Sequence, residues 1–451
     1  MERFIGFLTA PVPFFIIAAG LFFSFYLKFF YIRHPIKTFR VVIEKEEKSG
    51  VSPFAALTLA LSGTLGVGNI VGVAGAIALG GFGAIFWMWV SALFAMILKY
   101  AEIVLAVRHR REGRGERFGG APYYIEDFFS RRSLFGVGKA VGATFAVLCL
   151  FEVLSTGCGI QMNAAAGALH NALGIPTAFM GICAAGLTIY AVSGGAERVS
   201  RVTSVLIPIL SLSYIVMSCA VMLIRGSDIP RVFSSIFTDA FSPESAAGGV
   251  FGFLFCRATR YGAMRGLLSN EAGCGTAPLA HASSNTDNPA KQGILGIFEV
   301  FFDTVVLCTM TAAVIIISYD EVAFLANEPI KMAIAAYAEV LGGWSEYFLS
   351  FAVAAFGVAT VVCCAHYAKE CVFYLFRGRG RALGGACLAI YAAAAVIGAT
   401  VSGSVLWHIS DITLAGMTFI NITMLLLNRK EIRSETQHFV CNYLKEKANN
   451  D

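Results

Sequence analysis

The sequence predicts an all-α integral membrane protein of about eleven transmembrane helices, arranged as an inverted pair of five-helix repeats whose first helices are broken. Three observations carry this. Of the 451 residues, 57% are apolar and only 14% charged, and the mean hydropathy is +0.71, against roughly 45–50% apolar and 25% charged in soluble domains. Apolar stretches long enough to cross a bilayer recur along the whole chain. Glycines, 46 in all, cluster inside two of those stretches rather than between them. So few charges cannot cover the exterior of a soluble enzyme of this length.

Hydropathy places spans at 11–31, 55–79, 83–106, 140–169, 176–194, 203–224, 246–266, 291–318, 344–376, 382–401 and 404–428. The short leader carries Arg3 balanced by Glu2 and no small-residue cleavage site, so the first span reads as a retained helix. Basic residues set the orientation. Most of the 34 Lys and Arg residues follow spans one, three, five, seven and nine or lie in the C-terminal tail. Arg108, Arg110, Arg111, Arg114 and Arg117 stand together after span three, whereas the opposite face holds Arg3, Arg225, Arg231 and Lys331. The N-terminus is therefore expected outside and the C-terminus in the cytoplasm. The net charge of +5 belongs to one face of a lipid bilayer, which excludes a basic patch for nucleic acid. Twelve cysteines show no CxxC and no Cys/His ligand spacing, and read as small reduced core residues.

Spans two to six and seven to eleven divide the chain into 1–54, an extra N-terminal helix and cytoplasmic loop; 55–245 and 246–428, the two repeats; and 429–451, a cytoplasmic tail. An odd number of helices per repeat inverts the second relative to the first. Span two carries Gly63, Gly66, Gly68 and Gly72, and span seven carries Gly248, Gly249 and Gly252. Each repeat thus opens on a glycine-interrupted helix, the pattern of a binding site near the bilayer midplane. Close helix packing is the competing explanation of membrane glycines, and it is the reading for Gly72, Gly75 and Gly80. Within Ser62-Gly63-Thr64-Leu65-Gly66-Val67-Gly68-Asn69, each glycine weakens a helix by about 1 kcal/mol relative to alanine. The unwound turn this implies exposes amides that can hold a carboxylate and carbonyls that can ligate a small hard cation. A nucleotide-binding loop would need a preceding strand in a soluble βαβ unit.

Residues 66–73 (Gly-Val-Gly-Asn-Ile-Val-Gly-Val) and 76–90, which begin Ala76-Ile77-Ala78 and end Trp87-Met88-Trp89-Val90, resemble the alanine/glycine:cation symporter family. Three further matches are Gly119-Gly120-Ala121-Pro122-Tyr123-Tyr124-Ile125-Glu126, the run from Gly266 through Ser269-Asn270-Glu271-Ala272-Gly273-Cys274-Gly275-Thr276 to Pro278, and Phe298-Glu299-Val300-Phe301-Phe302-Asp303-Thr304. The resemblance implies a sodium-coupled importer of small neutral amino acids such as alanine and glycine in a bacterial cytoplasmic membrane, with the inverted-repeat fold of the bacterial leucine transporter. It assigns the substrate carboxylate to the amides of Val67 and Gly68. Sodium falls to the carbonyls of Ser62 and Leu65, the hydroxyl of Thr360 to sodium and to the substrate, and Asn69 to ion or substrate, with a helix cap as its structural alternative. Gln161, followed by Asn163, takes the substrate pocket, where interhelical hydrogen bonding is the alternative. Span nine departs from the family pattern: Ala359 lacks a neighbouring hydroxyl, and Cys364 stands where a tryptophan is expected at the pocket wall, which would make room for a larger substrate.

Asp303 lies mid-span with Glu299 one turn earlier. A lone carboxylate at that depth costs roughly 2.5–3.5 kcal/mol, so it should face protein or water. It reads either as a gate, ion or proton site or as a satisfied interhelical hydrogen bond. Lys99 and Glu102, three residues apart, are expected to pair. Sodium is the expected coupling ion, and no other cofactor, no resident metal site and no catalytic constellation is predicted. The alternatives are a proton-coupled carrier, one for a larger neutral amino acid such as glutamine, and, from another class, a channel, which would need a repeated filter motif. The sequence carries no signal of oligomeric state.

Overall fold

The computed structural model describes residues 9, 11–44, 50–113, 116–241, 257–377, 381–401 and 404–444. The chain is helical apart from one hairpin of β1 (Arg111–Gly113) and β2 (Glu116–Phe118). The helices are α1 (Val12–Tyr26), α2 (Pro35–Val42), α3 (Pro53–Thr64), α4 (Val73–Gly80), α5 (Gly83–Arg108), α6 (Ala121–Ser130), α7 (Phe135–Leu173), α8 (Thr177–Ser193), α9 (Gly195–Ile224) and α10 (Ile229–Ala240). After these come α11 (Arg257–Asn270), α12 (Ala277–His281), α13 (Pro289–Ile317), α14 (Pro329–Leu341), α15 (Trp344–Leu375), α16 (Arg381–Thr400), α17 (Ser404–Leu427) and α18 (Arg429–Phe439). Among the described residues seven helices are long and apolar enough to cross a bilayer, and α3 with α4, bent by 52°, brings the number to eight. Of the eleven expected spans, α1 and α8 are shorter apolar helices. The seventh falls partly on residues outside the described set.

Glycine dictates where these helices break. α3 ends at Leu65, with ψ at 84°, and a π-helical turn over Gly68–Gly72 leads into α4. The second interruption lies C-terminal to the position expected from Gly248, Gly249 and Gly252, which fall outside the described residues. It separates α11 from α12, where Gly273 and Gly275 both take φ of 84° and Glu271 takes 50°, conformations that favour glycine. Pro278 in the first turn of α12 then restarts the helix.

Packing pairs the four half-helices crosswise, α3 with α12 and α4 with α11, so the two breaks lie at the same depth. With α5 and α13 they form one bundle; α7, α8, α15 and α16 pack into a second. Lys99 does not pair with Glu102. Its ammonium lies 3.1 Å from Glu299 of α13 and donates to the Asn270 carbonyl at 2.8 Å, while Glu102 accepts from the Gly275 amide at 3.1 Å. At helical spacing both side chains of α5 face the second break, and each finds a partner there.

Outside the spans, α18 is clamped to the end of α5. His109 is 2% exposed, 2.8 Å from Asp127 and 3.1 Å from Glu431; Arg131 adds a 3.0 Å contact to Glu431. Burial pushes the His109 imidazole down, but its hydrogen bonds and charge interactions with Asp127 and Glu431 outweigh this and hold its pKa above the ordinary value. The hydrogen bond from His109 likewise outweighs burial at Glu431 and holds its pKa down to about 2. The histidine's contribution to stability is complete below its ordinary pKa of about 6.5 and lost as pH rises through the elevated one. That of Glu431 is complete above roughly 4.3 and lost as pH falls towards its depressed value. Thermal unfolding of the purified protein should therefore fall on the alkaline side, and His109→Gln should remove that alkaline loss; an identical pH profile in the variant would exclude this clamp as its origin.

Candidate functional site: two helix breaks at one depth

The first break meets both bundles at Gly66. A Cβ placed there would lie 2.7 Å from both Gln161 Oε1 of α7 and Thr360 Oγ1 of α15, so only glycine lets the three elements close. The Val67 amide donates to Gln161 Oε1 at 2.9 Å, and the Gly66 amide to Asn69 Oδ1 at 3.2 Å. The Gln161 carbonyl thus takes the acceptor position at the Val67 amide. Gln161 follows a π-helical turn, Ser155–Ile160, whose extra residue per turn re-aims the side chains after it.

Asn69 joins the first break to the second. Its Nδ2 donates to Asp303 Oδ1 at 2.7 Å and to Ser269 Oγ at 3.1 Å. Asp303 Oδ2 accepts from Ser269 at 2.7 Å and from Thr304 at 2.8 Å. Asp303 sits in the π-helical turn Phe301–Cys308 of α13, is 0% exposed, and makes no ion pair with a basic side chain among the described residues. Glu299 is separated from it in role, bonded instead to Lys99 and, at 3.1 Å, to His281. The second break is held rigidly: Thr276 donates to Glu271 at 2.6 Å, and Asn421 donates to the Gly273 carbonyl at 2.8 Å.

Of the residues expected at the site, Val67, Gly68, Asn69, Gln161 and Thr360 converge on the first break. Ser62 spends its hydroxyl on the Leu59 carbonyl at 2.6 Å, one turn back, and Leu65 bounds the unwound turn; their carbonyls are the groups of interest. Cys364 lies apart. A Cβ on Gly157 would stand 2.6 Å from its sulfur, so the thiol fills a glycine notch in α7 and the absence of an indole there is no argument for a larger substrate. Cys363, not Cys364, faces α3, donating to the Leu59 carbonyl at 3.1 Å. Asn163 points away, to the Val401 carbonyl at 2.8 Å. Sequence reasoning missed Gly66 as the tightest position and missed Ser269, Thr304 and Cys308 as companions of Asp303, although Ser269 and Thr304 lie in motifs it had singled out.

Two cavities flank the breaks. One of about 640 Å³ is lined by Val71, Gly75, Asn163, Arg265, Lys331 and Trp407, and one of about 770 Å³ by Val51, Glu112, Glu116, Arg117, Glu197 and Asn285. Neither is lined by residues 62–69 or by Thr360, whereas Val71 of the π-helical turn lines the first. Among the described residues no three His, Cys, Asp or Glu side chains are grouped to hold a metal ion. What the breaks present to a cation is backbone carbonyls, hydroxyls and the Asp303 carboxylate, oxygen donors suited to a hard ion.

The fold is shared with solved structures. A mutant form of a manganese transporter from Eremococcus coleocola superposes with a TM-score of 0.53 over 86% of this chain and 78% of its own, at 12% identity. An uncharacterized transporter of Bacillus subtilis, YflA, is 35% identical over 97% of this chain and 92% of its own. The sodium/alanine symporter AgcS of Methanococcus maripaludis is 32% identical over 94% and 93%, and the probable sodium/glutamine symporter GlnT of Bacillus subtilis is 30% identical over 92% and 85%. The model of the sodium:alanine symporter family matches residues 3–451, and with these relatives it shows that the chain belongs to that family of multi-pass membrane transporters.

Proposed function

We propose that this family member is a sodium-coupled importer of a small neutral amino acid, alanine or glycine, working by alternating access. The observation that supports this most directly is the junction of the two breaks through Asn69, Ser269 and Asp303. It places free backbone polarity and a buried carboxylate at one depth, between two cavities. In this reading sodium is held by the carbonyls of Ser62 and Leu65 with the Thr360 hydroxyl. The substrate carboxylate takes the amides of Val67 and Gly68 as the Gln161 oxygen withdraws, and Gln161 then turns to the ammonium. The contact of Gly66 with Gln161 and Thr360 is the seam along which one bundle rocks against the other. The N-terminus lies outside and the C-terminus in the cytoplasm, and residues 55–245 and 246–428 form the two repeats.

A proton-coupled carrier is the second reading, favoured by one feature. Asp303 is fully buried with amide and hydroxyl donors, and a proton would neutralise it as a cation would.

Alanine uptake into membrane vesicles should require an inward sodium gradient, and Asp303→Asn should abolish accumulation while the protein stays monodisperse. Undiminished uptake from sodium-free medium under a pH gradient would establish the second reading instead. At Gly66, substitution by alanine should abolish uptake and destabilise the protein by about 1–3 kcal/mol through overpacking. Gly68→Ala should be far milder, because a Cβ there stands 3.6 Å from its nearest neighbour, an ordinary contact. Equal uptake by the wild type and Gly66→Ala would remove the Gly66 seam from the mechanism.

A further inference from the structure

Two ionisable side chains of α15 have no part in the site above. His366 and Glu370 stand one helical turn apart, 2% and 8% exposed. Neither ring nitrogen of His366 meets a hydrogen-bond partner within the protein, and neither does Oε2 of Glu370. Buried polar groups are ordinarily satisfied, as His281 and Glu299 are by each other in this same molecule. Packing alone does not account for an unpaired imidazole and a carboxyl with one unpaired oxygen on adjacent turns.

Their position suggests a use. At 1.5 Å per residue, His366 lies about 9 Å and Glu370 about 15 Å along α15 from Thr360, away from the first break. At that end α15 meets the hairpin and α6, with Phe373 against Phe118 at 4.9 Å and Tyr374 donating to Glu126 at 3.0 Å. The charged and titratable groups acting on Glu370 are Lys369 of its own helix, Glu116 of β2 and Tyr123 of α6; Lys369 also acts on His366. Glu116 lines the 770 Å³ cavity as well. The pair therefore stands on a helix that runs from the first break to the hairpin bordering that cavity.

An unpaired carboxylate or imidazolium in a dry interior is far less favourable than its neutral form. Water reaching the pair, as opening of the cavity side requires, reverses that preference for the carboxyl. We propose that Glu370 and His366 form a proton-binding site linked to opening on the side of the 770 Å³ cavity, the cytoplasmic side in the orientation proposed above, in which Glu370 carries a proton while that side is closed and yields it to cavity water when it opens. The O–H bond breaks heterolytically, its electron pair stays on the carboxylate, and the proton is regained before closure. His366 is the positioning residue: neutral, it supplies no fixed cation that would keep Glu370 ionised in the closed state. The inference rests on the alternating-access reading and is independent of which amino acid or coupling cation is carried.

Infrared spectra of the purified full-length protein test the proton directly, without transport. A carboxylic-acid carbonyl stretch should be present at neutral pH and lost in Glu370→Gln. In right-side-out vesicles, lowering the lumenal pH from about 8 to about 6 should slow wild-type uptake several-fold by opposing proton release, and leave Glu370→Gln unaffected. No band lost in Glu370→Gln would overturn the proton site, and a flat wild-type lumenal profile would overturn its link to that opening. Failure of every amino acid to be taken up while the band persists would overturn the transport reading and leave the proton site standing.

Discussion

Backbone polarity has to be satisfied inside a bilayer, and that requirement organises this molecule. A continuous helix satisfies its own N–H and C=O groups, and a broken one frees several that must find protein, water or ligand. Here two helices break at one depth, and the molecule spends much of its buried polar chemistry on them. Gln161 answers the Val67 amide, Asn69 the Gly66 amide, Glu102 the Gly275 amide, and Lys99 the Asn270 carbonyl. The first break is answered by two amide side chains, Gln161 of α7 and Asn69, the latter itself bonded to Ser269 and Asp303. The second is answered by charged groups fixed in further contacts.

Buried charge follows the same logic. Lys99 and Glu299 form a buried ion pair, which His281 extends with a contact to the second Glu299 oxygen. Removing one member would leave an uncompensated charge, an effect on the order of 3–5 kcal/mol. This series links α5, α12 and α13. Asp303 differs in having neutral donors alone, and the carboxyl of Glu370 is not fully satisfied. The first lies at the breaks and the second on a helix leading away from them.

Much of the fold was legible in the sequence because hydropathy and glycine spacing are local. Most span limits fall within a few residues of the expected ones, and the cluster Gly63, Gly66 and Gly68 marked the first break. The second was sought at Gly248–Gly252, where glycines are densest, yet the chain turns at Gly273 and Gly275, where positive φ makes them necessary. The pair of glycines flanked by Asn270 and Pro278 was the better signal, since density reports packing and spacing before a proline reports a restart. Contacts between distant elements were not legible. Lys99 and Glu102 look like partners along one helix until the second break arrives between them. Cys364 looks like a pocket residue until Gly157 of α7 is seen to take up its sulfur. Val67, Asn69, Gln161 and Thr360, which the family resemblance assigned to the site, come together at the first break, but it gave no warning that Val67 and Gln161 bond to each other.

If ligand and cation meet at the first break, between the two cavities, an experimental structure of the full-length protein in lipid nanodiscs with alanine and sodium will show it. Density for the amino acid is expected against the Val67 and Gly68 amides, with the Gln161 side chain displaced from Val67 and an ion beside the Ser62 and Leu65 carbonyls. Amino-acid density confined to either flanking cavity, with the bond between Val67 and Gln161 intact, would contradict that placement.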